Sequence, residues 1–544
     1  MASSQAARSY WKSVGHSYLR RDALALASTT NSTTTAVSSS PKTSPSTLRH
    51  ATTDSTRPRE RVVILGSGWA GYALARALDP AKYERIIVSP RSHFVFTPLL
   101  ASTSVGTLEF RSILEPVRRL KPDAFHQGWA DDIDFAHKTL KVETNADADE
   151  LSSRTLPPPP STSSPSGTSP SEVTIAASTP TMKASVTKRK GEVISIPYDK
   201  LVVAVGSYSQ TFGIPGVREH ANFLRDVGDA RSIRLRVLQC FERAALPTAT
   251  PEQRRALLHF AVVGGGPTGI EFAAELHDPH LRGPRPPLPP VDALGGHHRL
   301  RQSSQGGGHC STSSSPRMPL TCSSARASIS KTEHHLTQIR QDDQSPHGAL
   351  KLSIQEEPGA EVGARLLVWS TGLMPNPLVQ KMVARELRLP GSGDSSPPET
   401  FHLQTGRSGG LLTDDHLRLR LDQGDRTLRD VFAMGDCAVM DREALPATAQ
   451  VASQQAVYLA RTLNRHGDDV SRAKPFAWRN LGTMAYLGSW RAIHQSSADG
   501  LRGRLAWVLW RGAYLTMSMS VRNKIMVPVH WFMTWVFGRD ISRF

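Results

Sequence analysis

The sequence predicts an α/β protein with two doubly wound, dinucleotide-binding (Rossmann-like) domains and a C-terminal pair of amphipathic, membrane-binding helices. Three observations predict it. Residues 61–78, RVVILGSGWAGYALARAL, read as a buried strand, a glycine-rich turn and an Ala/Leu-rich helix. Residues 258–276, LHFAVVGGGPTGIEFAAEL, repeat that succession. Residues 471–544 carry 11 Lys/Arg against 2 Asp/Glu and six of the 10 Trp.

Each glycine-rich turn is a GxGxxG between a strand and a helix, the context in which that pattern carries information. Gly66 allows the tight turn, Gly68 lets backbone approach a pyrophosphate, and Gly71 lets the helix pack on the strand. The helix N-terminus then faces the phosphates. Gly264, Gly266 and Gly269 repeat these positions in the second unit. Two such units imply two dinucleotides, the layout of flavoproteins that pass a hydride from NAD(P)H to FAD.

At 544 residues the chain has room for two to four domains with real cores. More than half of its net charge of +17 lies in the basic tail. Cations mixed with tryptophan suit an anionic membrane surface better than nucleic acid, and no nucleic-acid partner is expected. The four cysteines, Cys240, Cys310, Cys322 and Cys437, form no CxxC. That argues against a disulfide framework and a dithiol redox centre, and no metal site is expected. No uncharged apolar run is long enough for a transmembrane helix.

In chain order, residues 1–60 read as a mitochondrial transit peptide and spacer. In the first 50 of them Arg8, Lys12, Arg20, Arg21, Lys42 and Arg49 stand against the single acid Asp22, in a Ser/Thr-rich stretch. Ile86-Ile87-Val88 is the second strand. Ser89-Pro90-Arg91 follow it where an acid usually holds the ribose, so Ser89 or backbone must do so. Residues 94–100, FVFTPLL, form an apolar loop that packs on an isoalloxazine or is plain core. Residues 145–190 are a low-complexity insertion rich in Pro, Ser and Thr.

Order resumes with the strand YDKLVVAVGS (198–207), and residues 225–245 read as an amphipathic helix. ARLLVWSTG (364–372) is a buried strand ending in a small-residue turn. LRDVFAMGDCA (428–438) is a strand closing on Gly435-Asp436, where Asp436 holds the ribitol of FAD or caps a helix. The helix from Leu445 aims its N-terminus at flavin oxygen or phosphate. In the tail, residues 505–515 and 525–537 read as interfacial amphipathic helices, or as a dimer interface.

Several long stretches resemble one family. They are FTPLLASTSVGTLEFRSI (96–113), YSQTFGIPGVREHANFLRDVGDARSIR (208–234), VVGGGPTGIEFAAEL (262–276), FAMGDCA (432–438), LPATAQVASQQAVYLA (445–460) and FGRDISRF (537–544). The chain resembles the type II (alternative, rotenone-insensitive) mitochondrial NADH:ubiquinone oxidoreductases of fungi and plants, in its fungal form. The resemblance implies a non-proton-pumping flavoenzyme, peripheral at the mitochondrial inner membrane, with FAD and NADH as cofactors, ubiquinone as acceptor and a homodimeric state.

It implies an FAD domain at 61–206 and 373–470, an NADH domain at 207–372 and a membrane-binding and dimerisation region at 471–544. It assigns Gly66, Gly68, Gly71 and Asp436 to FAD, and Gly264, Gly266 and Gly269 to NADH; Ser89 at the strand end, Thr97 and Pro98 in the apolar loop and Gly435 beside Asp436 are the further FAD positions expected from the sequence. Glu271 falls beside nicotinamide and flavin, although a Glu in a first turn also complements the helix dipole. Gln450 and Gln454, four apart on one helix face, fall beside flavin and quinone; without the family they read as solvated polar residues.

Residues 279–327 depart from the family and from any fold signal, with GPRPPLPP (283–290) and a Ser/Gly/His-rich run. Read one base out of frame with free third bases, 279–301 can encode a helix and a strand ending in an acid. The segment is therefore expected to be out-of-frame translation. As printed it is expected to give no second strand, which would leave a flavin-binding, membrane-associated protein with a defective NADH site.

Overall fold

The computed structural model describes residues 58–144, 191–278, 334–343, 348–389, 399–423, 425–495 and 500–542, with the backbone of 297–300 and 328–331. The proposed transit segment (as far as residue 57), the insertion at 145–190, and residues 279–296 and 301–327 lie outside the described residues.

The elements that build the site are β1 (Glu60–Leu65), α1 (Trp69–Ala77), β2 (Tyr83–Ser89), β3 (Lys200–Val203), α2 (Val227–Ala244), β4 (Phe260–Val263), α3 (Pro267–His277), β5 (His297–Leu300), β6 (Ser328–Lys331), β7 (Leu366–Trp369), β8 (Thr427–Ala433), α4 (Ala449–His466), α5 (Arg504–Met517) and α6 (Val521–Phe537).

The first sheet has a parallel centre in the order β8-β3-β1-β2, continued by Ala124–Asp134. Val62, Val63, Ile64 and Leu65 are essentially sealed from solvent. A parallel strand covered on both faces has to be apolar throughout, which is why it reads as an unbroken run. The second sheet runs Asn222–Phe223, β7, β4, β5, β6, all parallel.

The second strand of the NADH unit is thus present, and the expectation that the printed chain would lack it is corrected. His297 lies opposite Phe260 and Leu300 opposite Val263, and β6 pairs in turn with β5. The sequence HHRL has no apolar run to mark it. Parallel pairing uses backbone groups, which every residue but proline leaves available.

Helix α2 starts on a reciprocal capping box between Asp226 and Asp229, two residues later than the sequence suggests. Helices α5 and α6 each turn one face inward: Ala506, Trp510 and Ala513 on the first, Asn523, Val527, Trp531 and Thr534 on the second. Val527 and Trp531 join a core with Phe94, Phe96, Leu100 and Phe272, so the tail is packed between the two nucleotide units. Thr534 donates to the Thr107 carbonyl at 2.9 Å, and Arg234 meets Asp540 at 2.8 Å. The opposite face of α6 leaves Ile525, Phe532, Trp535 and Phe537 more than half exposed. Among the described residues no helix is long and apolar enough to cross a membrane.

Candidate functional site

Both glycine turns open at the C-terminal ends of their sheets. At Gly66, φ is +107°, and a Cβ there would stand 2.3 Å from the Ala204 carbonyl oxygen. A Cβ on Gly71 would meet the Gly66 carbonyl oxygen at 1.9 Å, so α1 can sit on its turn only without side chains at both positions. Gly264 and Gly269 repeat that packing against each other and Ser370. Gly68 and Gly266, the N-caps of α1 and α3, have open space where a Cβ would be.

A cavity of about 590 Å³ joins the two units. Gly66, Gly68, Ser89, Thr97, Pro98, Gly435 and Asp436 line it from the first, with Pro267, Thr268 and Glu271 from the second. The predicted FAD positions are therefore gathered in one place, with Gly71 immediately behind them. Gly264, Gly266 and Gly269 build the turn beneath Pro267 rather than the wall itself. Of residues 94–100, Phe94, Phe96, Leu99 and Leu100 are buried in the core, while Thr97 and Pro98 face the cavity.

The polar groups are fixed by one another. Ser89 Oγ lies 2.9 Å from Ser67 Oγ. Arg91, also in the wall, pairs with the fully buried Asp226 at 3.0 Å. Arg225 donates to Ser207 Oγ and Ser207 to Asp436, both at 3.2 Å, with Arg225 3.7 Å from the Asp436 carboxylate. Asp436 lies in a 3-10 turn and Thr448 caps α4, so Asp436 is not the helix cap.

Glu271 is buried and accepts from the Tyr486 backbone N–H and from Trp510 Nε1, each at 3.1 Å. Burial pushes its carboxyl up to about 8, against the pull of those donors. Its neighbour Glu275, bonded by Ser102 at 2.7 Å and Thr107 at 2.8 Å, is likewise raised by burial.

Gln450 and Gln454 do not line the cavity. Gln450 brackets the backbone of Leu481 and Gly482 (2.8 and 3.2 Å), and Gln454 that of Arg479 (2.9 and 3.0 Å). Together they clamp the entry to the tail. The glutamine that reaches the cavity wall is buried Gln455, which accepts from the Gly435 N–H at 2.8 Å. Gln455, Ser207, Arg225 and Arg91 were not singled out in the sequence; Arg91, in place of the usual acid, was the one available signal.

The donors fit the two dinucleotides. The first turns of α1 and α3 have no side-chain cap and no acid, leaving backbone N–H groups for phosphate; Glu271, the fifth residue of α3, lies beyond the first turn, which corrects its reading as a first-turn acid. Arg91 and Arg225 add positive charge, and Asp436 supplies an acceptor for hydroxyls. Among the described residues no group of three or more His, Cys, Asp or Glu could hold a metal ion, and Cys240 and Cys437 are buried free thiols.

Known proteins give the same picture. A family profile described as pyridine nucleotide-disulphide oxidoreductase matches residues 60–281, and one described as NDH2 C-terminal domain matches 480–540. A probable NADH dehydrogenase of Dictyostelium discoideum is 35% identical, over 89% of this chain and 91% of its own. An external NADH-ubiquinone oxidoreductase of Saccharomyces cerevisiae mitochondria is 31% identical, over 89% and 82%. NDH2 from Plasmodium falciparum, solved with NADH, shares the fold with a TM-score of 0.66 at 20% identity, over 89% of this chain and all of that one. By sequence along nearly its whole length, the chain belongs to the type II NADH dehydrogenase family.

Proposed function

We propose that this protein is an FAD-dependent oxidoreductase carrying electrons from NADH to ubiquinone at the mitochondrial inner membrane, without pumping protons. The observation that carries the reading is the shared cavity, where the FAD-type turn and the second glycine turn converge on Glu271. FAD, when bound, supplies the two-electron chemistry. Gly66, Gly68, Gly71, Ser89, Thr97, Pro98, Gly435 and Asp436 hold it; Gly264, Gly266 and Gly269 shape the NADH turn. Glu271 holds a proton in the wall at neutral pH, and Gln450 and Gln454 fix the tail against α4. The domain division follows the sequence reading. A flavin protein with a broken NADH site is not favoured, since β5 pairs within the second sheet and the relatives are named as a probable NADH dehydrogenase and an NADH-ubiquinone oxidoreductase.

The test is anaerobic titration of the purified, flavin-loaded protein. NADH should bleach the flavin absorbance, and a short-chain ubiquinone should restore it. Bleaching by dithionite but not by NADH would overturn the reading.

The lipid surface and the homodimer are parts of the same proposal, both placed on the apolar face of α5 and α6. Truncating the tail would remove Val527 and Trp531 from the core, so point substitutions are the cleaner probe. Phe532→Ser with Trp535→Ser should weaken liposome binding by about tenfold or more, since each exposed ring is worth about 1.5–3 kcal/mol when buried. Flavin content should be unchanged. Equal co-sedimentation of the variant and the parent would contradict the assignment of this face to lipid.

A further inference from the structure

Beyond the end of α3, between α5 and α6, lies a second cavity of about 340 Å³ that the proposed reaction does not use. Its walls are aromatic: Tyr486, Trp490, Trp507 and Trp531, with Phe532 and Trp535 also lining it. Phe532 and Trp535 are more than half exposed, so the cavity opens onto the apolar face of α6.

One cation stands in it. The Arg511 guanidinium lies between two indoles, 4.3 Å from the ring centre of Trp507 and 4.2 Å from that of Trp531. Among the described residues no carboxylate comes within ion-pair distance of it, and its buried Nε has no hydrogen-bond partner. Asp278 lines the same cavity, but its carboxylate already accepts from the Tyr486 hydroxyl and the Ser489 N–H. Burial lowers Arg511 to about 10, with Glu275, Tyr486 and Asp278 opposing that shift. The guanidinium therefore stays charged at neutral pH, stacked but not neutralised. A cation so placed favours an anion or a strong acceptor, and aromatic walls with an apolar mouth favour an amphiphile.

We propose that this cavity seats the phosphate of an anionic phospholipid on Arg511, with the acyl chains running out over Phe532 and Trp535 along α6. The inference rests on the lipid-surface reading above and adds a specific headgroup contact to it. It differs from a general attraction to the basic tail, because an enclosed contact survives salt that screens exposed charges.

The experiment uses the full, FAD-loaded chain and two sets of vesicles: phosphatidylcholine alone, and phosphatidylcholine doped with phosphatidylglycerol. Binding is read in about 0.5 M salt, where the Debye length is only a few ångströms. The parent should prefer the doped vesicles by about tenfold, the worth of one charge-assisted contact. Arg511→Gln should lose that preference while keeping its flavin spectrum and its binding to the neutral vesicles. Arg511→Lys should retain part of it, and Arg522→Gln, at an exposed cation, should retain all of it. An unchanged preference in Arg511→Gln overturns the proposal and leaves the lipid surface standing. Failure of the parent to bind either vesicle overturns both. Inorganic phosphate that displaces the doped vesicles at millimolar level makes this a free-phosphate site. A raised KM for a short-chain ubiquinone in Arg511→Gln, with lipid preference intact, gives the cavity to the quinone instead.

Discussion

Asp436→Ala should leave the purified protein largely without flavin. The carboxylate lines the cavity where its strand ends, held by Ser207 and faced by Arg225. A hydrogen bond to a charged group contributes about 1.5–3 kcal/mol, so losing those to a ribityl chain weakens FAD by roughly ten- to a hundredfold. The change also strips the counter-charge from Arg225, which burial already pushes below its ordinary value. Asp436→Asn keeps the shape and should fall between the two. Asp441→Ala removes a carboxylate that pairs with Arg420 at the surface and should keep full flavin. Flavin absorbance per protein after gentle purification decides it; stoichiometric flavin in Asp436→Ala would remove Asp436 from the FAD site.

Glu271→Gln should lower quinone-linked turnover by about a hundredfold, the scale of a lost proton-transfer group, while raising stability at alkaline pH. The two effects share one cause. Burial raises the folded carboxyl from 4.5 to about 8. Below the ordinary value the acid is protonated in both folded and unfolded chains and contributes no pH dependence. Between the ordinary and raised values the folded state holds a proton that the unfolded state has released. Stability therefore falls as pH rises through that window, by about 1.4 kcal/mol per pH unit for a single group. Glutamine keeps an oxygen for Tyr486 and Trp510 and carries no such penalty. Melting temperatures of variant and parent should agree near pH 4.5 and diverge in the variant's favour towards pH 8. In the parent, turnover should decline above about pH 8, and the variant should lack that inflection. Parallel melting curves across the range would show that Glu271 titrates normally.

The parts of this molecule legible in the sequence are those made by neighbours in the chain. A strand, a glycine turn and a helix fall within twenty residues, so both nucleotide turns and Gly435-Asp436 could be read directly. Glu271 was legible as a position, but not its environment, because Tyr486 and Trp510 lie 215 and 239 residues away. Gln455 was passed over for Gln450 and Gln454, since family position ranked them and only the folded helix shows which face each takes. Strand β5 was missed for a different reason. Hydrophobic periodicity detects strands by side chains, and HHRL advertises none. The clamp on residues 479–482 had no local signal at all.

The way the final helix is tied down also bears on how the protein is made. Thr534 bonds to Thr107 across 427 residues, and Ser520 to Glu115 across 405. Val527 and Trp531 complete a core to which Phe94, Phe96, Leu100 and Ile113 come from the first unit and Phe260, Phe272, Leu366 and Val368 from the second. Contacts so distant in sequence close late and slowly. During synthesis the flavin unit would thus wait, with part of its core uncovered, until residues 520–534 had left the ribosome. A chain whose core stays open until that late segment has been made would remain threadable through a translocation pore up to that point.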